Sequence, residues 1–342
     1  MSTREMENTA KALVAEGKGI LAIDESHATI EKRFKSISIE STPETRRAYR
    51  DMLLTTPGLG EFISGAILFD ETLRQSAGDG TPFTQVMAKQ GIIPGIKVDA
   101  GAKDLAGRPG EKITEGLDGL RKRLAEYAKL GARFAKWRAV ITIGPGIPSG
   151  ACIGTNAHAL ARYAALCQEA GLVPIVEPEV LMDGDHTLER SYEVTQNTQR
   201  SVFNALYDQG VVLEQMILKP SMVISGQDSP KQAGTSEVAD ATVRCLLRSV
   251  PAAVPGIAFL SGGQSDELAT THLNAMNVWY KNLPWALTFS YGRALQQAAL
   301  KTWKGKAANV AAAQKALHHR AKCNGAAALG RYSEKMEKEL AA

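Results

Sequence analysis

The repeating unit of this chain is clearest over residues 120–136, which read LRKRLAEYAKLGARFAK. An alanine- and leucine-rich stretch ends at Gly131, and a short apolar run, Phe134–Lys136, follows it. Glycine adopts a positive φ without steric cost, and this is the conformation that often ends a helix. The pattern therefore predicts a helix, a helix-ending glycine and then a buried strand.

The same pattern recurs along the chain with a period of about forty residues, the length of one βα unit with its loops. Gly171 separates the helical stretch Ala157–Ala170 from the run Val173–Glu177, and Gly210 follows Val202–Gln209. Most runs are continuously apolar, as expected for parallel strands covered on both faces. Eight strands are predicted: Gly19–Ile23, Gly65–Phe69, Gly95–Val98, Phe134–Val140, Val173–Glu177, Gln215–Lys219, Ile257–Leu260 and Ala286–Ser290.

Eight βα units predict an α/β fold, a closed (β/α)8 TIM barrel, with residues 1–342 as a single domain. The competing fold is a doubly wound open sheet, which usually carries a glycine fingerprint after its first strand. Here Gly17-Lys18-Gly19 precedes the first predicted strand, and no GxGxxG follows it. The barrel is therefore the prediction.

Helical segments separate the predicted strands. Pro43–Leu54 is one example, with Thr42 as the capping residue ahead of Pro43 at the first helical position. From about Lys301 the sequence is rich in alanine, lysine and glutamate and ends in Glu339–Ala342. This part predicts an appended C-terminal helical segment or a frayed tail.

The composition is that of an ordinary globular protein, with 44% apolar and 22% charged residues. A net charge of +4 suits an anionic small-molecule substrate but is too diffuse to indicate nucleic acid. No stretch approaches the ~18 apolar residues of a membrane span, and Met1–Glu7 is polar and acidic. We therefore expect a cytoplasmic protein that binds neither nucleic acid nor membrane.

The cysteines and histidines do not indicate a metal site. The six histidines show no HxH or HExxH spacing at strand ends, and solvent exposure is expected for His318 and His319 in the C-terminal helical region. We therefore expect no metal and no cofactor. The cysteines are widely spaced without a CxxC pair, which is typical of reduced cytosolic thiols: Cys152, Cys167, Cys245 and Cys323.

Charged and small polar residues gather at the ends of seven of the eight predicted strands. In barrels of this kind the active site lies at the carboxyl ends of the strands, and buried charges are costly unless they are used. Because strand side chains alternate, Lys136 and Arg138 share one face, as do Glu177 and Glu179 if their strand continues through Pro178. The strand-end residues are Asp24, Ser26, Lys97, Lys136, Arg138, Glu177, Glu179, Lys219, Ser261, Gly262, Gly263, Ser290, Gly292 and Arg293.

Three lysines, Lys97, Lys136 and Lys219, each end a short apolar run. A lysine that is held among other cations and shielded from water loses basicity. Its neutral amine can then attack a carbonyl carbon and form a Schiff base. Lysine-based covalent catalysis is therefore the chemistry that these residues favour.

The loops after the last two predicted strands have the composition of a phosphate cradle. Ser261-Gly262-Gly263 and Ser290-Tyr291-Gly292-Arg293 combine small residues that expose backbone N–H groups with hydroxyls and one arginine. Ser265 also begins a predicted helix, whose dipole would favour an anion. A flexible turn is the alternative interpretation of the Ser-Gly-Gly sequence.

Taken together, these residues resemble class I fructose-bisphosphate aldolase over nearly the whole chain. The resemblance implies that Lys219 is the Schiff-base lysine and that Asp24 takes the C4-hydroxyl proton during C3–C4 cleavage. It implies that Lys136 and Glu177 assist carbinolamine formation and breakdown, and that Glu179 orients the lysines. The matching motifs are residues 17–26, 134–138, 173–179, 218–220, 259–265 and 287–295.

The resemblance also implies where the two substrate phosphates bind. It assigns the C1-phosphate to Ser261, Gly262, Gly292 and Arg293. It assigns the C6-phosphate or the substrate chain to Ser26, Thr29, Arg33, Lys97 and Arg138. Thr29 stands where the family often has serine, which keeps the hydroxyl.

The resemblance implies reversible cleavage of fructose 1,6-bisphosphate to dihydroxyacetone phosphate and glyceraldehyde 3-phosphate, in a homotetramer. Alternatives are the same chemistry on fructose 1-phosphate or sedoheptulose 1,7-bisphosphate, or a catalytically silent barrel that serves as a scaffold. Many members end in a tyrosine that helps protonate the enamine, whereas this sequence ends in Ala341-Ala342 and Tyr332 is not terminal. We therefore expect another group to protonate the enamine or a slower turnover, and little effect on cleavage from deleting the last ten residues.

Overall fold

A closed barrel of eight parallel strands forms the centre of the structure, a computed structural model that describes residues 3–338. In chain order the barrel strands are β1 Gly19–Ile23, β2 Ile63–Leu68, β3 Ile93–Lys97, β6 Phe134–Ile141, β7 Val173–Val180, β8 Ile217–Leu218, β9 Gly256–Phe259 and β10 Ala286–Tyr291. An antiparallel pair, β4 Ala102–Asp104 and β5 Lys112–Thr114, lies between β3 and β6 in the chain. Each barrel strand pairs with the next, and β10 closes the barrel on β1. The predicted (β/α)8 fold is confirmed.

Helices cover the outside of the barrel. In chain order they are α1 Thr3–Leu13, α2 His27–Lys35, α3 Pro43–Leu54, α4 Asp70–Leu73, α5 Phe83–Lys89, α6 Leu120–Lys129, α7 Gly150–Glu169, α8 Leu188–Asp208, α9 Thr235–Ser249, α10 Asp266–Trp279, α11 Arg293–Trp303, α12 Val310–Ala328 and α13 Lys335–Lys338. The predicted helix Pro43–Leu54 is confirmed with its cap, since the Thr42 hydroxyl accepts the Thr45 N–H at 3.2 Å. No helix within residues 3–338 has both the length and the apolar character needed to cross a bilayer.

Several strand boundaries differ from the prediction. β2 and β3 each begin two residues early, and β8 is only Ile217–Leu218 because Leu213–Gln215 forms a 3-10 turn before it. β7 continues through Pro178 to Val180. Proline lacks an N–H, but the paired segment of β8 reaches only Val176, so Pro178 is not required to donate to that neighbour.

Two helices begin much earlier than their alanine- and leucine-rich portions predicted. α7 starts at Gly150 with Ser149 as its cap, and α8 starts at Leu188 with Thr187 as its cap. The glycines after these helices and after α6 were predicted correctly. Their φ angles are +102° at Gly131, +73° at Gly171 and +66° at Gly210.

The C-terminal segment is an integral layer of the structure rather than a frayed tail. α11 runs to Trp303, and α12 then packs against α10, α11 and β10. Leu317, Cys323 and Asn324 of α12 are completely buried. The predicted appended helix is therefore present, whereas the ending Glu339–Ala342 lies outside the described residues.

The amino-terminal end of the barrel is filled by apolar side chains. α1 contributes Met6, Ala10 and Leu13 to a cluster that includes Phe134 and Ile217 from the barrel strands. This cluster closes the barrel at that end, as is usual for a fold whose interior is a packed core. Polar side chains of the strands are therefore concentrated at the carboxyl ends.

Candidate active site

A cavity of about 710 Å³ opens at the carboxyl ends of the barrel strands. Its walls include every residue proposed from the sequence except Gly263. Gly263 instead donates its N–H to Met182 Sδ at 2.9 Å. The cavity also includes two carboxylates, Glu25 and Asp99, that are not among the predicted site residues. Glu25 directly follows Asp24, and Asp99 lies two residues after Lys97.

A chain of alternating charges crosses the floor of this cavity. Lys136 Nζ lies 2.6 Å from Asp24 Oδ2 and 3.1 Å from Glu177 Oε2, the latter an ion pair without hydrogen-bond geometry. Lys219 Nζ lies 3.2 Å from Glu177 Oε1. Glu177 therefore bridges the two lysines. Lys136, Glu177 and Lys219 are at most 4% exposed.

The strand register explains this arrangement. Lys136 on β6 is paired with Ile175 on β7, and Glu177 lies two residues further along the same strand. The Lys219 N–H donates to the Val176 carbonyl at 2.8 Å, which keeps Lys219 in line at the end of β8. Alternation along each strand then directs these side chains into the barrel mouth.

Electrostatic neighbours keep this cluster ionised. Burial by itself would raise the pKa of Asp24 and of Glu177, but Lys136 and Lys219 outweigh burial and lower both pKa values. Burial would likewise lower the pKa of Lys136, whereas Asp24 and Glu177 raise it well above the usual lysine range. Asp24 and Glu177 are therefore carboxylates and Lys136 is a cation at neutral pH.

Two other cavity cations are held by their own carboxylates. Arg138 donates through Nε to Glu179, so Glu179 is paired with an arginine and not with the lysines that it was expected to orient. Lys97 donates to the Asp99 side chain and, at 3.0 Å, to the Asp99 carbonyl. Lys136 and Arg138 do share the cavity face, as predicted.

α2 and the segment just before it contribute another charged group of side chains. Arg33 lies 2.6 Å from Glu25, and Arg50 from α3 lies 2.6 Å from the other oxygen of the same carboxylate. Burial would raise the pKa of Glu25, but these two arginines lower it. The hydroxyls of Ser26 and Thr29 lie 3.2 Å apart at the cavity rim.

The loops after β9 and β10 form the wall next to α2, since β10 pairs with β1. Gly262 has a φ of +58°, and the Ser261 carbonyl accepts the Gln264 N–H at 3.2 Å, which closes a tight turn. Arg293 donates from across the loop to the carbonyls of Gly262, at 3.4 Å, and of Gln264. The predicted helix start at Ser265 is confirmed, since its hydroxyl accepts the Leu268 N–H at 3.1 Å.

The expectation of solvent exposure is wrong for His319, which is 8% exposed. The helical segment packs onto the barrel, so one face of α12 is buried. His319, Cys323 and Glu337 bring one potential ligand atom each to within 4.8 Å of one another, and none of the three lines the barrel cavity. Glu337 accepts Arg320 Nη1 at 2.6 Å and the Tyr332 hydroxyl at 2.8 Å.

The fold and site define a (β/α)8 barrel protein with a buried lysine–carboxylate centre at its mouth. A family model described as fructose-bisphosphate aldolase class-I matches residues 5–342, and the chain belongs to this family. Its sequence is 65% identical over 333 residues to a "Probable fructose-bisphosphate aldolase class 1" of Xanthomonas campestris pv. campestris, covering 97% of this chain and 99% of that protein.

More distant relatives give the same picture. A "Fructose-bisphosphate aldolase" of Dictyostelium discoideum is 55% identical over 332 residues, covering 96% of this chain and 93% of that protein. A solved structure of the fructose-bisphosphate aldolase of Plasmodium falciparum superimposes with a TM-score of 0.95 at 52% identity, covering 96% of this chain and 95% of that one.

Proposed function

We propose that this protein cleaves fructose 1,6-bisphosphate reversibly to dihydroxyacetone phosphate and glyceraldehyde 3-phosphate through a Schiff base on Lys219. The single observation that carries the proposal is the buried chain Asp24–Lys136–Glu177–Lys219 in the barrel cavity. Family membership supports the substrate, and this cluster supports the mechanism.

The partners of the three strand-end lysines favour Lys219 as the nucleophile. Lys136 contacts two carboxylates, which raise its pKa and keep it protonated. Lys97 is held by Asp99. Among the described residues, Lys219 has a single ion pair, with Glu177, and its amine can approach a substrate carbonyl carbon with Glu177 beside it to accept a proton.

In the proposed reaction, Lys219 Nζ attacks C2 of the ketose and forms a carbinolamine. Glu177 removes a proton from the nitrogen and passes it to the C2 oxygen, which gives the neutral carbinolamine. Glu177 then takes up a second proton from solvent and donates it to the C2 hydroxyl, which leaves as water to give the iminium. Lys136 stays cationic and stabilises negative charge that develops on the C2 oxygen during attack. Glu177 is ionised again after the water has left.

Cleavage then requires removal of the C4-hydroxyl proton. We assign this step to Asp24. Burial alone would raise the pKa of Asp24, but the neighbouring lysines lower it, so the side chain is ionised. As the proton leaves, the C3–C4 electron pair moves into the iminium, giving an enamine and the free aldehyde product. Protonation of the enamine carbon and hydrolysis release dihydroxyacetone phosphate and regenerate the Lys219 amine.

The cavity charges suit a substrate with phosphates at both ends. Six cations and five carboxylates line it, and the cations come from several different strands and loops of the barrel. We assign the C1-phosphate to the loops of Ser261, Gly262, Gly292 and Arg293, and the C6-phosphate to the side of Arg33 and Lys97. Fructose 1-phosphate and sedoheptulose 1,7-bisphosphate are alternative substrates of the same chemistry, which kcat/KM comparison separates.

We also propose a cytoplasmic, homotetrameric protein that folds as a single domain. Two Arabidopsis thaliana relatives are named cytosolic fructose-bisphosphate aldolases, which supports the location. The tetramer rests on the family resemblance, and sedimentation equilibrium tests it. Denaturant unfolding at fixed protein concentration tests the single domain, for which one cooperative transition is expected.

Borohydride reduction in the presence of dihydroxyacetone phosphate, followed by mass spectrometry, tests the covalent mechanism. The expected result is a stable adduct on Lys219 in the wild type and none in Lys219→Met. Lys97→Met is the matched control and should still form the adduct. No adduct, with activity lost to a chelator, would point to a metal mechanism, and no adduct without activity would favour the silent scaffold.

A further inference from the structure

The loop that follows β9 exposes its backbone to the cavity through one pinned peptide group. The Ser261 carbonyl accepts two N–H groups of Gln264, its backbone N–H and its side-chain Nε2, each at 3.2 Å. In a planar trans peptide the carbonyl and the following N–H point in opposite directions. The Gly262 N–H therefore points away from Gln264, toward the side on which Ser261 and Gly262 line the cavity.

The Gln264 amide is in turn held by a histidine that lies outside the cavity. His272 on α10 places Nδ1 2.6 Å from Gln264 Oε1, and the two residues are 2% and 4% exposed. The two ends of the Gln264 amide can be told apart by their partners. The end that faces the Ser261 carbonyl must be the Nε2 donor, because Oε1 there would be repelled by the carbonyl oxygen. Oε1 therefore faces His272, and His272 must carry its proton on Nδ1.

His272 is a neutral donor at physiological pH, because burial lowers its pKa to about 4. Its other nitrogen, Nε2, is buried without a hydrogen-bond partner among residues 3–338. Leaving one polar nitrogen unsatisfied in the core is unfavourable. Since Nε2 has no partner there, the hydrogen bond from Nδ1 to Gln264 is the polar contact that orients the ring. His272 does not line the cavity.

We propose that His272 is a positioning residue for phosphate binding, which acts through Gln264 to hold the Gly262 N–H toward the cavity. The inference rests on the proposed function, in which this loop binds the C1-phosphate. Arg293 holds the next carbonyls of the same loop from the cavity side, so the loop is fixed from both faces. Loss of His272 leaves the amide held only through Nε2, by the Ser261 carbonyl and by Met222 Sδ at 3.6 Å, so the Ser261–Gly262 peptide is less firmly fixed toward the phosphate.

The variants separate the Nδ1–H donor from the bulk of the imidazole. His272→Asn keeps an N–H near the position of Nδ1, whereas His272→Leu fills the space without a donor. Thr270→Val is the matched control, because Thr270 is buried on the same helix but bonds to Asn324 at 2.9 Å instead of to the loop. Gln264→Met breaks the same link from the other side if His272→Leu does not fold.

The readout compares two ligands that differ in the phosphate. Half-saturating concentrations for borohydride trapping at Lys219 are measured with dihydroxyacetone phosphate and with dihydroxyacetone. For His272→Leu and Gln264→Met we expect a rise of about tenfold with the phosphate ester and little change with dihydroxyacetone, since about one hydrogen bond is lost. His272→Asn should stay within about twofold of the wild type, and Thr270→Val should leave the ratio of the two values unchanged.

Equal changes for both ligands, or none, would overturn the positioning role and leave His272 as a core residue. A separate titration with inorganic phosphate, followed by 31P NMR, measures the loop without the covalent step. Weaker phosphate binding in His272→Leu than in Thr270→Val supports the inference, and equal binding contradicts it. If the wild type forms no adduct with either ligand, the proposed function fails, while the phosphate titration still decides the role of His272.

Discussion

Glu177 shows how much the chemistry of this site depends on single contacts. Its two oxygens face two different lysines, at 3.1 Å and 3.2 Å, in a nearly dry environment. Glu179, two residues later on the same strand, is bound to Arg138 instead. The resemblance implies catalytic work by both glutamates, whereas the contacts distinguish a carboxylate beside the proposed nucleophile from one that holds an arginine.

Glu177→Gln and Glu179→Gln form a matched pair that tests this distinction. Each substitution keeps the shape of the side chain and removes its charge and its basicity. We expect Glu177→Gln to lower kcat for fructose 1,6-bisphosphate cleavage by about a hundredfold or more, as for the loss of a general base. Glu179→Gln should lower it by less than about tenfold. Equal, large losses in steady-state assays would show that Glu179 also orients the lysines.

Arg33 is the cleanest test of the C6-phosphate assignment. Arg33→Met leaves Glu25 bound to Arg50 and to Gln296, so its carboxylate is not left unpaired. We expect kcat/KM to fall by about tenfold to a hundredfold with fructose 1,6-bisphosphate and little with fructose 1-phosphate, because a charge-assisted hydrogen bond is lost. Lys32→Met, an exposed neighbour on α2, is the control. A similar fall with both substrates would place the lost contact elsewhere than on the second phosphate.

At the scale of elements, local signals predicted helix ends better than helix beginnings. A glycine with positive φ follows α6, α7 and α8, as predicted. The first turns of α7 and α8 were missed because they lack the alanine and leucine pattern and depend on the capping hydroxyls of Ser149 and Thr187. β7 runs through Pro178 because β8 is short, which no local pattern reveals.

Gly210 and Gly154 offer opposite effects of the same substitution. A Cβ at either position would meet nothing within 4 Å, so the change acts on the backbone alone. Gly210 has a φ of +66°, and Gly210→Ala should lower the free energy of unfolding by about 1 kcal/mol. Gly154 lies within α7, and Gly154→Ala should raise it by about 0.5–1 kcal/mol. Denaturant unfolding at fixed protein concentration measures both, and equal signs would contradict the backbone argument.

At the scale of the whole molecule, the barrel separates an apolar end from a charged mouth. α1 packs against apolar strand residues at one end, while ionised groups are concentrated at the other. Because the apolar cluster does not titrate, acid should act mainly on the mouth and on other ion pairs. The C-terminal helices add a further ionic contact, between the buried Arg320 and the half-buried Glu337.

Acid should therefore destabilise the protein in a predictable range. Asp24, Glu25 and Glu177 have lowered pKa values in the folded state, since neighbouring cations outweigh the opposite effect of burial. Their contribution to stability is complete above their unfolded pKa values, near 4, and is lost as pH falls through the folded values. His272 acts at higher pH, because its lowered pKa of about 4 means that between about pH 6.5 and 4 only the unfolded chain takes up its proton. We therefore expect the free energy of unfolding to fall gradually below about pH 6.5 and more steeply below about pH 4.

Asp24→Asn gives the control for the acid experiment. It removes one of these carboxylates, so its stability should depend less steeply on pH below about 4 than that of the wild type. Identical acid slopes in denaturant unfolding would mean that Asp24 has an ordinary pKa in the folded protein.

Removal of residues 333–342 should affect stability more than cleavage. The deletion takes away Glu337, which binds the buried Arg320 and the Tyr332 hydroxyl. We expect the free energy of unfolding to fall by about 1–3 kcal/mol, because Arg320 loses a charged partner. kcat should change little, since none of the described residues 333–338 lines the cavity. Glu337→Gln should reproduce part of the loss of stability, and a large fall in kcat on truncation would reveal a catalytic role for this segment.

The sequence by itself determined the barrel and the kinds of residue at its mouth. Continuous apolar runs, helix-ending glycines and polar strand ends such as Lys136 and Lys219 are local patterns, and they follow from burial and backbone sterics. Only the tertiary structure decided which of these side chains contact each other. Three examples are the contacts of Glu179 with Arg138, of Arg50 with Glu25 and of His272 with Gln264. Each contact joins two different strands, helices or loops, so it depends on strand register and helix packing. Such pairings are set by the three-dimensional path of the backbone, which a local pattern does not contain.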